Sequence, residues 1–307
     1  MTDFRPSGTQ WTLTYGAQTA TVVEVGGGLR DYAVDGNEIL DGYAEDELCP
    51  AGAGQVLMPW PNRIRDGHYR FGGSAHQLPL SEVALHNAIH GLVRWLPWQV
   101  VDRSDAAITV ECGLEPQVGY PWRLSLRVAY TLGEDGLTVT HSAVNRSADP
   151  APFGVGTHPY LRVPGAAIDD LTLTVPARTR LLVDGRMLPI GAAKVAGGEF
   201  DFTEPRRLGA LELDTAFGDL VRDEAGGSAV SLVAPDGRAV EVWADEKFHW
   251  WQLFTAHTLT GERHRRAIAV EPMTCPPDAM RSGRDLIELA PGETWTGTWG
   301  IRHRLGA

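Results

Sequence analysis

"RLSLRVAYTLGEDGLTVTHSAV", residues 123–144, decides the fold class. Leu124, Leu126, Val128, Tyr130 and Leu132 alternate with Arg123, Ser125, Arg127, Ala129 and Thr131, the period of two that a half-buried strand imposes on its side chains. After "GEDG" at 133–136 the alternation resumes in "GLTVTHSAV", so the stretch reads as two antiparallel strands joined by a tight turn. The same period recurs in "LTLTV" at 171–175 and in "TWTGTWGIRHRL" at 294–305, where Trp295, Trp299 and Ile301 share one face. Thirty-five glycines and twenty prolines interrupt these runs at short intervals, and no segment carries the apolar period of a long amphipathic helix. The expectation is an all-β chain: a large antiparallel β-sandwich with a few short helical turns. No low-complexity linker and no internal repeat divides it, so residues 1–307 read as a single domain.

Composition narrows the function. Hydrophobic residues make up 43% and charged residues 21% of the 307, which fits a folded globular chain and neither a disordered nor a fibrous one. The formal net charge of −12 argues against nucleic acid or an anionic membrane as a partner, since both are bound through basic patches. No run approaches the roughly 18 apolar residues of a membrane span, and "MTDFRPSGTQ" lacks the basic start and apolar stretch of an export signal. Cys49, Cys112 and Cys275 are odd in number and show no C-x-x-C spacing, which suits a reducing compartment. A cytoplasmic protein acting on a small molecule, as a monomer or homodimer, is expected.

Several patterns are decoys. "HNAIH" sets His86 and His90 four apart, but the glutamate of the H-E-x-x-H zinc helix is replaced by Asn87 and no third ligand follows. "GAGQVL" and "GGGLR" complete no phosphate-binding loop, and no G-x-S-x-G is present. The residues therefore imply no metal and no organic cofactor.

Two polar residues are set apart by prolines. In "VGTHPYLRV" (155–163) His158 precedes Pro159, and in "AVEPMT" (269–274) Glu271 precedes Pro272. A residue before proline is driven out of the helical region into extended backbone, so both side chains are held in strand geometry. Arg63 lies in the Pro/Trp-rich "MPWPNRIRDG", where its fork of donors can meet a hydroxylated ligand. His90 precedes Gly91, which permits close backbone approach, and Asp214 is an acceptor in the mostly apolar "LDTAFGDL". Each of these also has a plain structural reading, as a capping aspartate, a surface arginine or a hydrogen-bonded core histidine.

Taken in order, "PNRIRDGHYRFGG", "LHNAIHGLVRW", "GTHPYL", "LDTAF" and "VEPMTCPPDAM" make the chain resemble the aldose 1-epimerases, or galactose mutarotases. The resemblance implies a mutarotase-like β-sandwich with a sugar cleft on one sheet face and no metal. It also implies Arg63 and His90 as sugar-binding residues, His158 as general acid, Asp214 as a holder of hydroxyls and Glu271 as general base. The chemistry suits these residue types. Interconverting anomers requires a base for the anomeric hydroxyl and an acid for the ring oxygen, and the two prolines are expected to preorganise the pair on opposite sides of the reacting carbon.

The sequence departs from the galactose mutarotase pattern at "HGLVRW", where Leu92 follows Gly91. This variant is similar to the hexose-6-phosphate epimerases, and Arg65 and Arg94 are candidates for holding a phosphate. The net negative charge favours neutral aldohexoses such as glucose and galactose. A third reading is a non-catalytic carbohydrate-binding sandwich in which Trp60, Trp95, Trp250 and Trp251 stack on sugar faces.

Overall fold

A computed structural model describes residues 5–305. Two large antiparallel sheets dominate it. The first has nine strands, running from Gln99–Arg103 at one edge through Ala107–Leu114, Leu124–Gly133, Gly136–Asn145 and Thr294–Arg304 to Ala239–Ala244 and beyond. The hairpin that opened the reading is present: Leu124–Gly133 pairs with Gly136–Asn145 over ten positions, from Leu124 opposite Asn145 to Gly133 opposite Gly136. The turn needs its second glycine. Gly136 sits at φ +107, and a Cβ there would lie 2.2 Å from the Ile301 carbonyl oxygen.

The second sheet follows the order Pro189–Lys194, Ala177–Val183, Asp214–Leu220, Trp250–Phe254, Ile268–Met273, Gly156–Thr157, Val56–Leu57, with Tyr160–Leu161 also paired to Ile268–Met273. The inward faces of both sheets merge into one apolar core. Leu126, Val128, Val139 and Val242 come from the first sheet, and Phe217, Trp251, Leu253 and Val270 from the second. The Trp251 indole crosses between the sheets, Nε1 donating to Ser228 Oγ at 3.1 Å. His141, at one of the inward positions of the hairpin, is a core histidine: Trp299 Nε1 donates to its Nε2 at 2.9 Å. Beside them lie a four-stranded antiparallel sheet built from Gln10–Tyr15, Gln18–Val23, Leu29–Val34 and Asn37–Glu38 and three two-stranded pairs, among them Arg63–Arg65 with Asn87–Ile89.

Helix is confined, among the described residues, to Ala279–Ser282 and three 3-10 turns. The expected sandwich with few helical turns is therefore what the chain forms. No helix of the described residues is long and apolar enough to cross a membrane.

Candidate active site

Strand period places the acidic residues. In Trp250–Phe254, Trp251 and Leu253 enter the core, so Gln252 and Phe254 face the other way, and both line a cleft of about 410 Å³. Register then fixes the neighbours. Gln252 is opposite Glu271 on one side and Ala216 on the other, with Asp214 opposite Phe254. Asp214, Gln252 and Glu271 thus occupy one face of three adjacent strands, because residues two apart along a strand share a face. Gln252 Nε2 donates to Asp214 Oδ1 at 2.5 Å, while Gln252 Oε1 is buried without a partner.

His158 comes to this face by the same rule. Gly156 is opposite Met273 and Tyr160 is opposite Ala269, so counting inward sets His158 across from Glu271. Cross-strand partners on one face of a sheet touch, and His158 Nε2 lies 3.4 Å from Glu271 Oε1. The two are buried, their side chains 8% and 2% exposed. Tyr160 stacks on the imidazole at 4.9 Å between centroids and 25°. The chain around Gly52 closes over it, with Gly54 N donating to His158 O at 2.9 Å. His158 Nδ1 and Glu271 Oε2 have no hydrogen-bond partner.

The expectation that acid and base stand on opposite sides of a substrate is corrected here. They are a contacting cross-strand pair and approach from one side. The chemistry tolerates this, since the anomeric and ring oxygens are bonded to the same carbon.

The cleft wall opposite comes from residues 61–95. His90 is at φ +62 and Gly91 at φ +73; a Cβ on Gly91 would sit 1.9 Å from the Met58 carbonyl oxygen, so only glycine fits. This bend turns the His90 ring against His158, 5.5 Å between centroids at 77°. Asn62 N donates to His90 Nδ1 at 3.2 Å, so the proton of the neutral ring is on Nε2 and is available as a donor. Arg63 lines the cleft but is less free than the sequence suggested. Its Nε and Nη2 donate to the Glu82 carboxylate at 3.0 to 3.1 Å, which is itself held by Asn87 Nδ2 at 2.8 Å.

Burial governs the charges. It pushes Glu271 well above the usual carboxylate range; the neighbouring Asp214 charge adds to this and Arg63 opposes it. Burial also raises Asp214, against Arg63, His257 and the Gln252 hydrogen bond. The imidazole of His158 is driven down to about 3, chiefly by burial, with Arg94 and Arg63 contributing and its backbone hydrogen bond opposing. His90 is lowered as well, first by burial and then by His158, Arg94 and Arg63. Burial thus disfavours the charged form of both members of the pair.

All five predicted site residues, Arg63, His90, His158, Asp214 and Glu271, line this one cleft. The remaining readings fare differently. Asn87–Ile89 is a strand, not a helix, so His86 and His90 do not share a helix face, and His86 instead contacts Asp66 at 2.9 Å. No metal-ligating cluster occurs among the described residues. Trp60, Trp250 and Trp251 are no more than 2% exposed and have no face to offer a sugar, whereas Trp95 is 51% exposed at the cleft rim. Arg65 is paired with Asp184 at 3.0 Å and does not line the cleft; Arg94 does. The sequence reading overlooked Gln252 and Glu82. A lone glutamine in "WWQLF" is a detectable signal, a polar residue where a buried strand is otherwise apolar. A wider groove of about 780 Å³ beside Trp122 and Arg146 contains none of these groups.

A sequence model of the aldose 1-epimerase family matches residues 9–302. The chain is 33% identical over 294 residues to the uncharacterized protein YihR of Escherichia coli K12, covering 95% of this chain and 92% of that one. It is 29% identical over 178 residues to human galactose mutarotase, covering 55% of this chain and half of that enzyme. In fold it matches a galactose mutarotase-like protein of Clostridium acetobutylicum with TM-score 0.84 at 20% identity, over 95% of this chain and 94% of that one. It also matches a galactose 1-epimerase of Lactobacillus acidophilus with TM-score 0.80 at 22% identity, over 97% and 95%. The sandwich, the cleft on its outer sheet face and a family match over nearly all of the sequence agree, and the chain belongs to the aldose 1-epimerase family.

Proposed function

We propose that the protein interconverts the α and β anomers of aldohexoses, with glucose and galactose as reference substrates, by acid–base ring opening and reclosure. The observation that carries this reading is the buried His158–Glu271 contact at 3.4 Å in a cleft whose volume suits a small ligand. Once the pair's proton has passed from Glu271 to His158 across their contact, the Glu271 carboxylate takes the proton of the anomeric hydroxyl, the His158 imidazolium delivers one to the ring oxygen, the bond from C1 to the ring oxygen breaks and the aldehyde forms. Rotation about C1–C2 and reversal of both transfers return the other anomer.

Proton balance supports these roles. Opening converts a carboxylate and an imidazolium into a carboxylic acid and a neutral imidazole, the distribution that burial favours here. The open-chain sugar is therefore formed with the pair in the protonation state that burial favours. Around the pair, His90 Nε2 and the remaining Arg63 nitrogen supply donors to sugar hydroxyls, while Asp214 and the orphan Gln252 Oε1 supply acceptors.

A purely carbohydrate-binding sandwich needs aromatic platforms and no acid–base pair. Three of the four tryptophans available for stacking are in the core, which favours catalysis. Polarimetry of freshly dissolved α-glucose and α-galactose tests the proposal. Faster decay of rotation than in buffer supports it, and sugar binding without acceleration turns the choice to the binding module.

A further inference from the structure

Arg63, the guanidinium proposed to meet sugar hydroxyls, is held from a distance. Its partner Glu82 and the strand residue Asn87 exchange both backbone hydrogen bonds, Glu82 N to Asn87 O at 2.9 Å and Asn87 N to Glu82 O at 3.1 Å, which closes residues 82–87 into a tight loop. Asn87 is fully buried, and its amide serves Glu82 in one orientation only. Nδ2 donates to Glu82 Oε2 at 2.8 Å and to the Arg186 carbonyl at 3.2 Å, while Oδ1 accepts from Arg186 Nη2 at 3.3 Å. Turned over, the amide would set its oxygen against the Glu82 carboxylate and its NH2 against a guanidinium.

Arg186 itself does not line the cleft. It lies at the tip of the hairpin that joins Ala177–Val183 to Pro189–Lys194, at the edge of the sheet that carries Asp214, Gln252 and Glu271. From there Nε donates to Leu85 O at 2.9 Å and Nη2 to His86 O at 2.6 Å, and Nη2 also reaches Asp66 Oδ1 at 2.8 Å. Beside it, Asp184 accepts from Arg65 Nη2 at 3.0 Å. The hairpin tip thus braces the sheet against the two-stranded wall formed by Arg63–Arg65 and Asn87–Ile89. That wall needs bracing. Each of its strands is flanked by non-glycine residues in the left-handed region, Asn62 at φ +55 and Asp66 at +58, His86 at +56 and His90 at +62. Such residues persist where neighbouring bonds over-determine them. At the cleft end Asn62 and His90 bond each other, His90 N to Asn62 O at 2.9 Å and Asn62 N to His90 Nδ1 at 3.2 Å. At the far end Asp66 and His86 also pair, and Arg186 takes an oxygen of each.

We infer that Arg186 is a positioning residue for substrate binding: through Asn87 and Glu82 it fixes the direction in which Arg63 presents its free nitrogen to the sugar. The inference rests on the mutarotase reading and adds to it a residue outside the cleft. A guanidinium donates through a rigid fork, and a misplacement of about 1 Å in a positioned group is costly. Without Arg186, Asn87 is free to turn, Glu82 loses a donor, and Arg63 is paired with a carboxylate that no longer keeps one place. The Asp66 carboxylate is half exposed, so its ion pair with Arg186 contributes little, and the effect runs through the bonds to Leu85, His86 and Asn87.

Two measurements on the full chain test this. NMR exchange between anomeric proton signals gives kcat and KM for glucose and galactose. Arg186→Gln should raise KM roughly 3- to 10-fold, the range for one lost hydrogen bond, with kcat nearly unchanged, since it is uniform binding that is lost. Arg186→Lys, which keeps a donor for one carbonyl, should recover part of the loss. In an Arg63→Gln background Arg186→Gln should add nothing to KM, because a residue that acts through Arg63 has no other route. The second measurement follows the arginine Nε–H signals of isotope-labelled protein, the Arg63 signal being identified by its absence from Arg63→Gln. In the wild type that proton is bonded to Glu82 and should exchange slowly with water; Arg186→Gln should shift the signal and speed its exchange. If circular dichroism shows that Arg186→Gln does not fold, Arg186→Lys carries both measurements, with the same signs and smaller sizes. A KM unchanged by Arg186→Gln, a fall in kcat at constant KM, or equal losses in the wild-type and Arg63→Gln backgrounds overturn the inference and leave the mutarotase reading standing. If the wild type anomerises neither sugar, that reading fails and the Arg63 signal decides alone: a change on Arg186→Gln sustains Arg186 as the residue that sets Arg63, and an unaltered signal sinks both.

Discussion

Replacing Glu271 by Gln separates the activity of the site from its cost to the fold. The carboxylate is 2% exposed, Oε2 has no hydrogen-bond partner, and burial and Asp214 raise its pKa. In the unfolded chain it returns to an ordinary value near 4.3. A carboxyl whose folded pKa is raised contributes its full stability below the unfolded pKa and loses it as pH rises through the folded value. Once pH has risen through that raised value the wild type bears the penalty of a partner-poor buried carboxylate, on the order of 1–3 kcal/mol; at pH 4 it does not. Glu271→Gln keeps the shape, removes the charge and brings an amide within reach of the unpaired Gln252 Oε1 across the strand pair.

The variant should thus melt a few degrees above wild type at alkaline pH, beyond that raised value, and close to it at pH 4. Its kcat should fall about 10²- to 10⁴-fold, the contribution of a positioned general base, while sugar binding persists. Thermal melts at both pH values, with polarimetry and calorimetric binding on the same samples, provide the measurement. Near wild-type mutarotation by Glu271→Gln would falsify the assignment of the base. A melting point equally lowered at both pH values would instead refute the desolvation argument and make Glu271 a structural residue.

Three further outcomes follow from the same geometry. Because the pair works with one proton, kcat/KM should decline as pH rises through the raised pKa of Glu271; Asp214→Asn removes a charge that raises it, so this alkaline limb should move to lower pH, and a limb that stays or moves upward contradicts the electrostatic picture. Gly52 sits at φ +77 with a would-be Cβ 3.3 Å from His158 Cδ2, so Gly52→Ala should misplace the imidazole and cost roughly 10- to 100-fold in kcat with an unchanged circular dichroism spectrum; full activity would mean that the ring tolerates displacement. Dialysis against a chelator should leave anomerisation intact, whereas loss restored by added zinc would show that metal chemistry operates in the cleft.

The hairpin was legible because one face of each of its strands is core and the other is not, which prints the alternation directly into 123–144. The strands beneath the cleft are harder. Trp250–Phe254 and Ile268–Met273 are covered on both faces, with all but Phe254 buried, so their sequences read as apolar runs and do not reveal which residue faces a ligand. This is why Trp250 and Trp251 passed for sugar platforms and Gln252 went unnoticed. Glu82 was invisible for another reason: its partner Arg63 is 19 residues away, and only the pairing of Arg63–Arg65 with Asn87–Ile89 brings their segments together.

The prolines beside the acid–base pair were legible as markers, but their effect reaches beyond pre-setting two backbones. Val270 N donates to Pro159 O and Thr274 N to Val155 O, a spacing that assigns the intervening rung to residue 272 and the carbonyl of residue 157. Pro272 has no N–H to give it, and Pro159 cannot return a bond to Val270. One ladder bond is thereby deleted on each side of the His158–Glu271 pair, one from each strand, and the strand facing Ile268–Met273 is accordingly broken into Gly156–Thr157 and Tyr160–Leu161. Register still brings the two side chains together, so the pair is placed by the sheet while the rungs beside it are absent. A buried acid and a buried imidazole in contact would be poor material for a sheet that served stability alone. Their presence at the point where the ladder is interrupted fits the proposed catalytic role: fixed position from the strands, and a local backbone free of the hydrogen bonds that would otherwise occupy it.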